Sequence, residues 1–178
     1  MGNSRIYPAT AAERFPHPPR SITDAVDREI DIETTGPVDI EDLVDMYVDF
    51  DPADRAQGIP PGRESAIRTW LADVLDLGID VVARHEGAVV GHATLVPENG
   101  AMELAIFVHQ DYQGAGIGTE LLRSLLGAGQ VEGIERVWLT VERWNTPAIR
   151  LYERVGFEPS EIEAFELEMS LLLADEDY

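Results

Sequence analysis

A glycine-rich segment between an apolar run and a helix-like run constrains this chain more than any other feature. Residues 103–108 are strand-like, and residues 117–128 carry apolar side chains at helical spacing. The glycines between them let the backbone turn tightly, so that several N–H groups point into one concavity at the start of the helix. Unpaired N–H groups and the helix dipole stabilise negative charge without cationic side chains. We therefore expect a strand–turn–helix unit that binds a pyrophosphate.

Spacing separates the alternative interpretations of this segment. A Walker A loop requires Gly-Lys-Ser/Thr, and the chain contains no lysine. A dinucleotide fingerprint that begins at Gly114 would need its third glycine at Thr119, and one that begins at Gly116 would need it at Leu121. A turn that only joins a strand to a helix stays open, because short glycine motifs often match by chance.

Two motifs in order resemble the GNAT superfamily of acyltransferases. The loop that begins at Gln113 and ends at Gly118 resembles the family's Gln/Arg-x-x-Gly-x-Gly/Ala loop. The run from Asn145 to Phe157 resembles its Asn-x-x-Ala-x-x-Leu-Tyr-x-x-x-Gly-Phe signature. Two ordered motifs, each at the expected helix, are more specific than either one alone.

The resemblance implies a fold and a cofactor. The fold is α/β, with a mixed, largely antiparallel central sheet flanked by helices, and its middle strands splay to admit the pantetheine arm of acetyl-CoA. Strand backbone groups would contact the acetyl and pantetheine groups, and the loop would wrap the pyrophosphate. Asn145 would lie beside the pantetheine, and it is also a suitable cap for a helix that begins at Thr146. The expected acetyl-CoA-binding residues are Ile106, Phe107, Val108, Gln113, Gly114, Ala115, Gly116, Ile117, Gly118, Thr119 and Asn145.

Tyr152 matches the family position that faces the thioester sulfur. A phenol with an ordinary pKa of about 10 donates a hydrogen bond or a proton to a thiolate whose basicity resembles that of a cysteine, about 8.5. Tyr152 is therefore the expected general acid. The alternative is that it is an aromatic residue of the core.

Glu103 is the expected general base. It begins the strand that leads into the loop, where the protein-acetylating branch of the family carries its glutamate. Other branches place the base five residues before the asparagine, where this chain has Thr140. Glu142 and His92 are the alternative bases, and a solvated surface role for Glu103 also stays open.

The charge balance is unusual. The chain has 34 acidic residues against 13 basic ones, all of them arginine, and a net charge of -21. This usage resembles that of proteins from salt-accumulating archaea, in which salt screens self-repulsion. The chain lacks a basic stripe for nucleic acid, an apolar run long enough to cross a membrane, and cysteine, and its four histidines are scattered. We therefore expect a halophilic, cytoplasmic protein, with an ordinary acidic protein as the alternative, and no metal, no nucleic-acid partner and no membrane partner.

Periodicity and turn signals divide the chain into an extended or disordered arm (1–27), one acetyltransferase domain (28–174) and an acidic tail (175–178). Helices are predicted after Asp39 and around 67–75, 117–128 and 146–155. Strands are predicted at 29–33, 79–84, 88–96, 102–108, 135–141 and 165–173, the second to fourth as an antiparallel meander.

The sequence thus predicts an enzyme that transfers an acetyl group from acetyl-CoA to an amine. With no cysteine to act as a covalent carrier, direct attack in a ternary complex is the simpler mechanism. The acceptor is a small amine or a protein amino group, and residues 50–55 faintly resemble protein lysine acetyltransferases. The alternative is a CoA-binding or regulatory module without turnover. A homodimer is one expected assembly.

Overall fold

The computed structural model describes residues 5–55, 59–162 and 165–175. Within these residues, four α-helices surround one mixed sheet whose strand order is β1-β2-β3-β4-β5-β6-β8-β7. The helices are α1 (Ile40–Val48), α2 (Glu64–Leu77), α3 (Ile117–Val131) and α4 (Thr146–Val155). The strands are β1 (Arg20–Thr23), β2 (Glu29–Thr35), β3 (Ile79–His85), β4 (Ala88–Glu98), β5 (Ala101–Val108), β6 (Arg136–Glu142), β7 (Glu158–Ile162) and β8 (Glu166–Leu172).

The predicted fold class is confirmed, and most elements lie where periodicity places them. Two strands were not predicted. β1 has only four residues, too few to establish an alternation, and β7 contains Pro159, which argues against a strand except at a sheet edge. β7 does lie at an edge of the sheet, and so does β1.

Helices cover both faces of the sheet. α3 packs its fully buried Leu121 and Leu125 against one face, together with Ile30 and Ile32 of β2. α1 and α2 pack against the other face in a second apolar cluster that includes Val82. Of the described helices, none is both long enough and apolar enough to cross a bilayer.

The pairing of β5 with β6 creates the opening at the centre of the sheet. Every other neighbouring pair of described strands is antiparallel, whereas β5 and β6 are parallel and pair only at Met102↔Val137 and Glu103↔Trp138. β5 continues to Val108 and β6 to Glu142 beyond this contact. The two strands therefore diverge and leave a wedge between them.

The N-terminal segment lies along α3 and β8. Ala12 forms a parallel bridge with Leu173, and the Phe15 amide donates to Oε1 of Gln130 at 3.0 Å. A Cβ at Gly127 would collide with the carbonyl oxygen of Pro16, so glycine is required for this close approach. The boundary of the acetyltransferase domain at residue 28 stays a prediction.

Candidate active site

A cavity of about 460 Å³ occupies the wedge between β5 and β6. Its walls come from β5, the end of β6, the start of α4 and the loop before α3. Nine predicted site residues line it: Glu103, Ile106, Phe107, Val108, Gln113, Gly114, Gly118, Asn145 and Tyr152. The lining does not include the other four predicted residues, which are Ala115, Gly116, Ile117 and Thr119.

The glycine-rich loop presents an open helix terminus. Gly116 is the N-cap of α3 with φ 87°, and no side chain caps this end of the helix. Gly114 also has a positive φ of 73°, and a Cβ at either glycine would meet no atom within 4 Å. The space in front of the loop and its backbone N–H donors therefore fit an anionic group such as a pyrophosphate.

Two predicted loop residues hold the loop in place from behind. Ile117, the first residue of α3, is 1% exposed and belongs to the core between α3 and the sheet. The carbonyl of Ala115 accepts a hydrogen bond from the amide of Ala25 at 2.9 Å. These contacts fix the loop on the β1–β2 hairpin and leave its outer side open.

The side chain of Gln113 connects the loop to the segment after α1. Its amide donates to Oδ2 of Asp54 at 3.0 Å and to the carbonyl of Val108 at 2.9 Å. Oε1 of Gln110 accepts from the amide of Asp51 at 2.9 Å. Asp54 also lines the cavity, so the segment after α1 forms part of its wall.

α4 positions Asn145 and Tyr152. The side chain of Asn145 caps the helix by accepting from the amide of Ala148 at 3.4 Å, and Gly156, with φ 118°, ends it. Tyr152 is 8% exposed and belongs to the core while it also borders the cavity. Burial raises the pKa of Tyr152 to about 12, so its phenol keeps its proton across the ordinary pH range.

Glu103 is half-buried at the point where β5 and β6 part. Burial raises the pKa of Glu103, the neighbouring carboxylate of Glu98 raises it further, and Arg5 opposes the shift. The Cζ atom of Arg5 lies 3.6 Å above the centre of the Trp138 ring, and its Nε donates to Glu168 at 2.8 Å. Glu103 is therefore a stronger base than an exposed glutamate, because its protonated form is favoured.

The alternative bases lie in different environments. Glu142 borders the cavity, and so does Thr140. His92 is fully buried, and its ring nitrogens bind the Tyr47 hydroxyl and Oδ1 of Asp80, each at 2.7 Å. His92 does not border the cavity, so it is not placed to take a proton from an amine there.

Sequence reasoning missed the aromatic wall on the α1 side. Phe50 and Tyr112 line the cavity, and the ring of Phe107 lies 6.1 Å from that of Phe50 and 5.9 Å from that of Tyr47. Phe50 begins the segment that resembles protein lysine acetyltransferases, and this was its only signal. In the part of the chain that the structure describes, no group of three or more histidine, aspartate or glutamate side chains is arranged to hold a metal ion.

Comparison with known proteins agrees with this geometry. The chain belongs to the acetyltransferase (GNAT) family, which it matches over residues 41–157. It is 33% identical over 89 residues to an uncharacterized N-acetyltransferase of Mycobacterium tuberculosis, a match that covers 49% of this chain and 57% of the relative. The chain thus spans little more than half the length of this curated relative.

Solved structures with the same fold are more distant in sequence. The GNAT domain of S. lividans PAT has a TM-score of 0.73 and 18% identity, covering 86% of this chain and 96% of the other. An N-acetyltransferase of Thermoplasma acidophilum, solved in complex with coenzyme A, has a TM-score of 0.66 and 18% identity, covering 80% and 98%. These likenesses show the fold.

Proposed function

We propose that the protein is an N-acetyltransferase that transfers an acetyl group from acetyl-CoA to an amine in a ternary complex. The observation that carries the proposal is the cavity at the β5–β6 wedge. It brings the half-buried carboxylate of Glu103, the protonated phenol of Tyr152 and the open glycine loop to one space. Family membership and the named activity of the relative support it.

The residues around the cavity suit acetyl-CoA. Beyond Glu103, the edge of β5 that faces β6 pairs with no described strand. Apart from the Val108 carbonyl, which accepts from Gln113, its backbone groups are available to the pantetheine arm and the acetyl carbonyl. The loop that ends at Gly118 would hold the pyrophosphate through its N–H groups. In this proposal Asn145 contacts the pantetheine while it caps α4.

The chemistry is a direct transfer with balanced protons. The amine nitrogen forms a bond to the acetyl carbon, and the carbon–sulfur bond breaks with its electron pair on sulfur. Glu103 accepts the proton that the amine loses, directly or through water, and backbone N–H groups stabilise the charge on the carbonyl oxygen. Tyr152 donates to the leaving thiolate. The products are the N-acetylated amine and CoA.

Glu103 is the proposed base in preference to Glu142. Both carboxylates border the cavity, but Glu103 is at the strand junction, where burial and Glu98 raise its pKa. A lysine-like amine with a pKa of about 10.4 arrives mostly protonated and needs a base of this kind. Glu142 instead accepts a hydrogen bond from Nε1 of Trp144 at 3.0 Å.

The acidic composition supports a protein adapted to high salt in a cytoplasm. With 34 acidic and 13 basic residues, self-repulsion is strong at low ionic strength, and salt near 1 M reduces the Debye length to about 3 Å. Arginines are shared among carboxylates: Arg84 contacts Glu33, Asp42 and Asp39. Activity and stability measurements therefore belong in concentrated KCl.

A CoA-binding or regulatory module without turnover is the second candidate. It would use the same loop but release no CoA. The test measures CoA release in molar KCl with polyamines, amino acids, aminoglycosides and lysine peptides as acceptors. Release with at least one amine, together with its acetylated product by mass spectrometry, supports the transferase. Tight binding of acetyl-CoA without release for any acceptor supports the module.

A further inference from the structure

We propose that Trp144, Phe165 and Glu142 form a subsite for a second positively charged group of the acceptor, distinct from the amine that is acetylated. This inference rests on the proposed function, because it names the acceptor class of the same cavity. The shared chemistry is an acceptor with two cationic groups. A linear diamine and a peptide with a basic side chain are two sources of this chemistry.

Two large aromatic side chains are exposed beside the cavity. Trp144 is 63% exposed and Phe165 is 70% exposed, and their ring centres lie 6.4 Å apart at an interplanar angle of 72°. Trp144 immediately precedes Asn145, which lines the cavity. The rings touch edge to face, so most of their remaining surface is exposed, and an exposed aromatic face attracts an ammonium or guanidinium group.

A carboxylate orients one of these rings. Nε1 of Trp144 donates to Oε2 of Glu142 at 3.0 Å, and Glu142 is itself part of the cavity wall. An indole N–H takes one carboxylate oxygen, so the other oxygen stays available to a cation. A carboxylate next to aromatic faces attracts a positive charge and repels an anionic group.

The backbone holds the two aromatic residues together. Glu142 pairs with Glu166 across the antiparallel β6–β8 ladder, and the amide of Arg143 donates to the carbonyl of Phe165 at 3.1 Å. The two rings thus lie just beyond a pair of strand ends that the sheet holds in register. A subsite built on paired strand ends loses little conformational entropy when it binds a ligand.

The subsite and the proposed base share one space. Glu103 and Glu142 both border the cavity, so an acceptor long enough to reach from Glu103 to Glu142 would bring its second charge to the exposed rings. The second charge then contributes to acceptor binding and not to the acetyl-transfer step. The expected effect is on KM and on the dissociation constant, with little effect on kcat.

Calorimetry on the full chain saturated with CoA tests the subsite without turnover. The matched ligands are 1,5-diaminopentane against 1-aminopentane, and glycyl-arginine amide against glycyl-leucine amide. We expect the dication of at least one pair to bind about tenfold more tightly than its monocation. The Trp144→Ala and Phe165→Ala variants should lose this ratio, and Trp144→Phe, which keeps an aromatic face, should retain most of it.

Val38→Ala is the control, because Val38 is 91% exposed and lies before α1, outside the cavity wall. A ratio near one for both pairs in the wild type, or a ratio that Trp144→Ala leaves unchanged, overturns the subsite. The ligand pair whose dication binds more tightly than its monocation, diamine or peptide, identifies the source of the second charge. Tighter binding of the dication without CoA release from any amine would reject the transferase and keep the subsite. CoA release with equal kcat/KM for dication and monocation would keep the transferase and reject the subsite.

Discussion

Glu103 faces Trp138 in the last pairing between β5 and β6, and the two strands separate directly beyond this pair. The position of Glu103 therefore defines both the end of the parallel ladder and the start of the cavity. A carboxylate at such a junction is shielded from water on its strand side and reaches a ligand on the other. This is why Glu103 combines partial burial with access to an acceptor.

Replacing Gly116 with valine should weaken acetyl-CoA binding at least about tenfold, or about 1.4 kcal/mol. Gly116 has φ 87° at the start of α3, a conformation that valine adopts only with strain, and the new side chain would project into the open space in front of the loop. Calorimetry in concentrated KCl measures the affinity.

Gly87→Val is the matched control for this change. Gly87 has a similar φ of 85°, and a Cβ there also meets no atom within 4 Å, but it lies in the β3–β4 turn. Both variants should lose stability through backbone strain of roughly 1–3 kcal/mol, and only Gly116→Val should lose affinity. Equal acetyl-CoA affinities in the two variants would contradict the assignment of the loop around Gly116 as the pyrophosphate site.

Tyr152→Phe should lower kcat by on the order of a hundredfold while acetyl-CoA affinity stays nearly intact. The change removes only the hydroxyl that assists the leaving thiolate. Because the pKa of Tyr152 is about 12, the wild-type phenol should stay protonated, and ionisation of Tyr152 should produce no basic limb below about pH 11. Equal turnover of the two proteins would show that Tyr152 is a core residue without a catalytic role.

The sequence predicted local structure correctly where the signals lie in consecutive residues. The loop around Gly116 and the helix from Asn145 to Gly156 both have local signals, which are glycines with positive φ and an asparagine cap. Contacts across long sequence separations had no such signal. Gln113 and Asp54 are 59 positions apart, and their contact depends on how the whole sheet brings α1 to the loop.

The pairing of Trp144 with Phe165 was missed for a related reason. Trp144 follows one predicted strand, and Phe165 begins another, the strand predicted at 165–173. Periodicity predicts each strand but not the register of β8 against β6, so nothing indicated that the two rings meet. The environment of His92, an alternative base, had no sequence signal either, because a strand pattern does not reveal that both ring nitrogens are bonded inside the core.

Tyr47→Phe should reduce the free energy of unfolding by about 1–3 kcal/mol, because it leaves the buried Nδ1 of His92 without its partner. Tyr112→Phe removes a hydroxyl that bonds to Nδ1 of His85 at the same distance of 2.7 Å, but this pair is only part-buried, so water can replace the lost bond. Denaturant titrations of the two variants should therefore differ. Equal losses in the free energy of unfolding would mean that the buried hydrogen bond to His92 stabilises the protein no more than the part-buried bond to His85.

Arg5→Ala should move the acidic limb of the kcat/KM profile to higher pH. Arg5 opposes the rise in the pKa of Glu103, so removing its positive charge raises that pKa further and a higher pH is needed to ionise the base. Arg68→Ala is the control, because Arg68 pairs with Glu41 and Glu64 on the surface of α1 and α2. An unchanged limb in Arg5→Ala would show that Arg5 serves only to attach the N-terminal segment.

Glu103→Gln tests the base itself, because glutamine keeps the shape of the side chain and cannot take up a full proton. The wild type should lose activity as pH falls through the pKa of Glu103 or of the bound amine, whichever controls the acidic limb. Burial and Glu98 raise the pKa of Glu103, so a limb due to Glu103 should lie above that of an ordinary glutamate. In the variant, the rate near neutrality should fall.

The rate of Glu103→Gln should then recover as pH approaches about 10.4 for a lysine-like acceptor, because the free amine no longer needs a base. This recovery distinguishes a lost base from a misfolded protein, which would stay inactive at every pH. Glu142→Gln is the matched comparison, since Glu142 borders the same cavity and should affect acceptor KM without producing the recovery. A Glu103→Gln profile that overlays the wild type, with recovery seen only in Glu142→Gln, would transfer the role of base to Glu142.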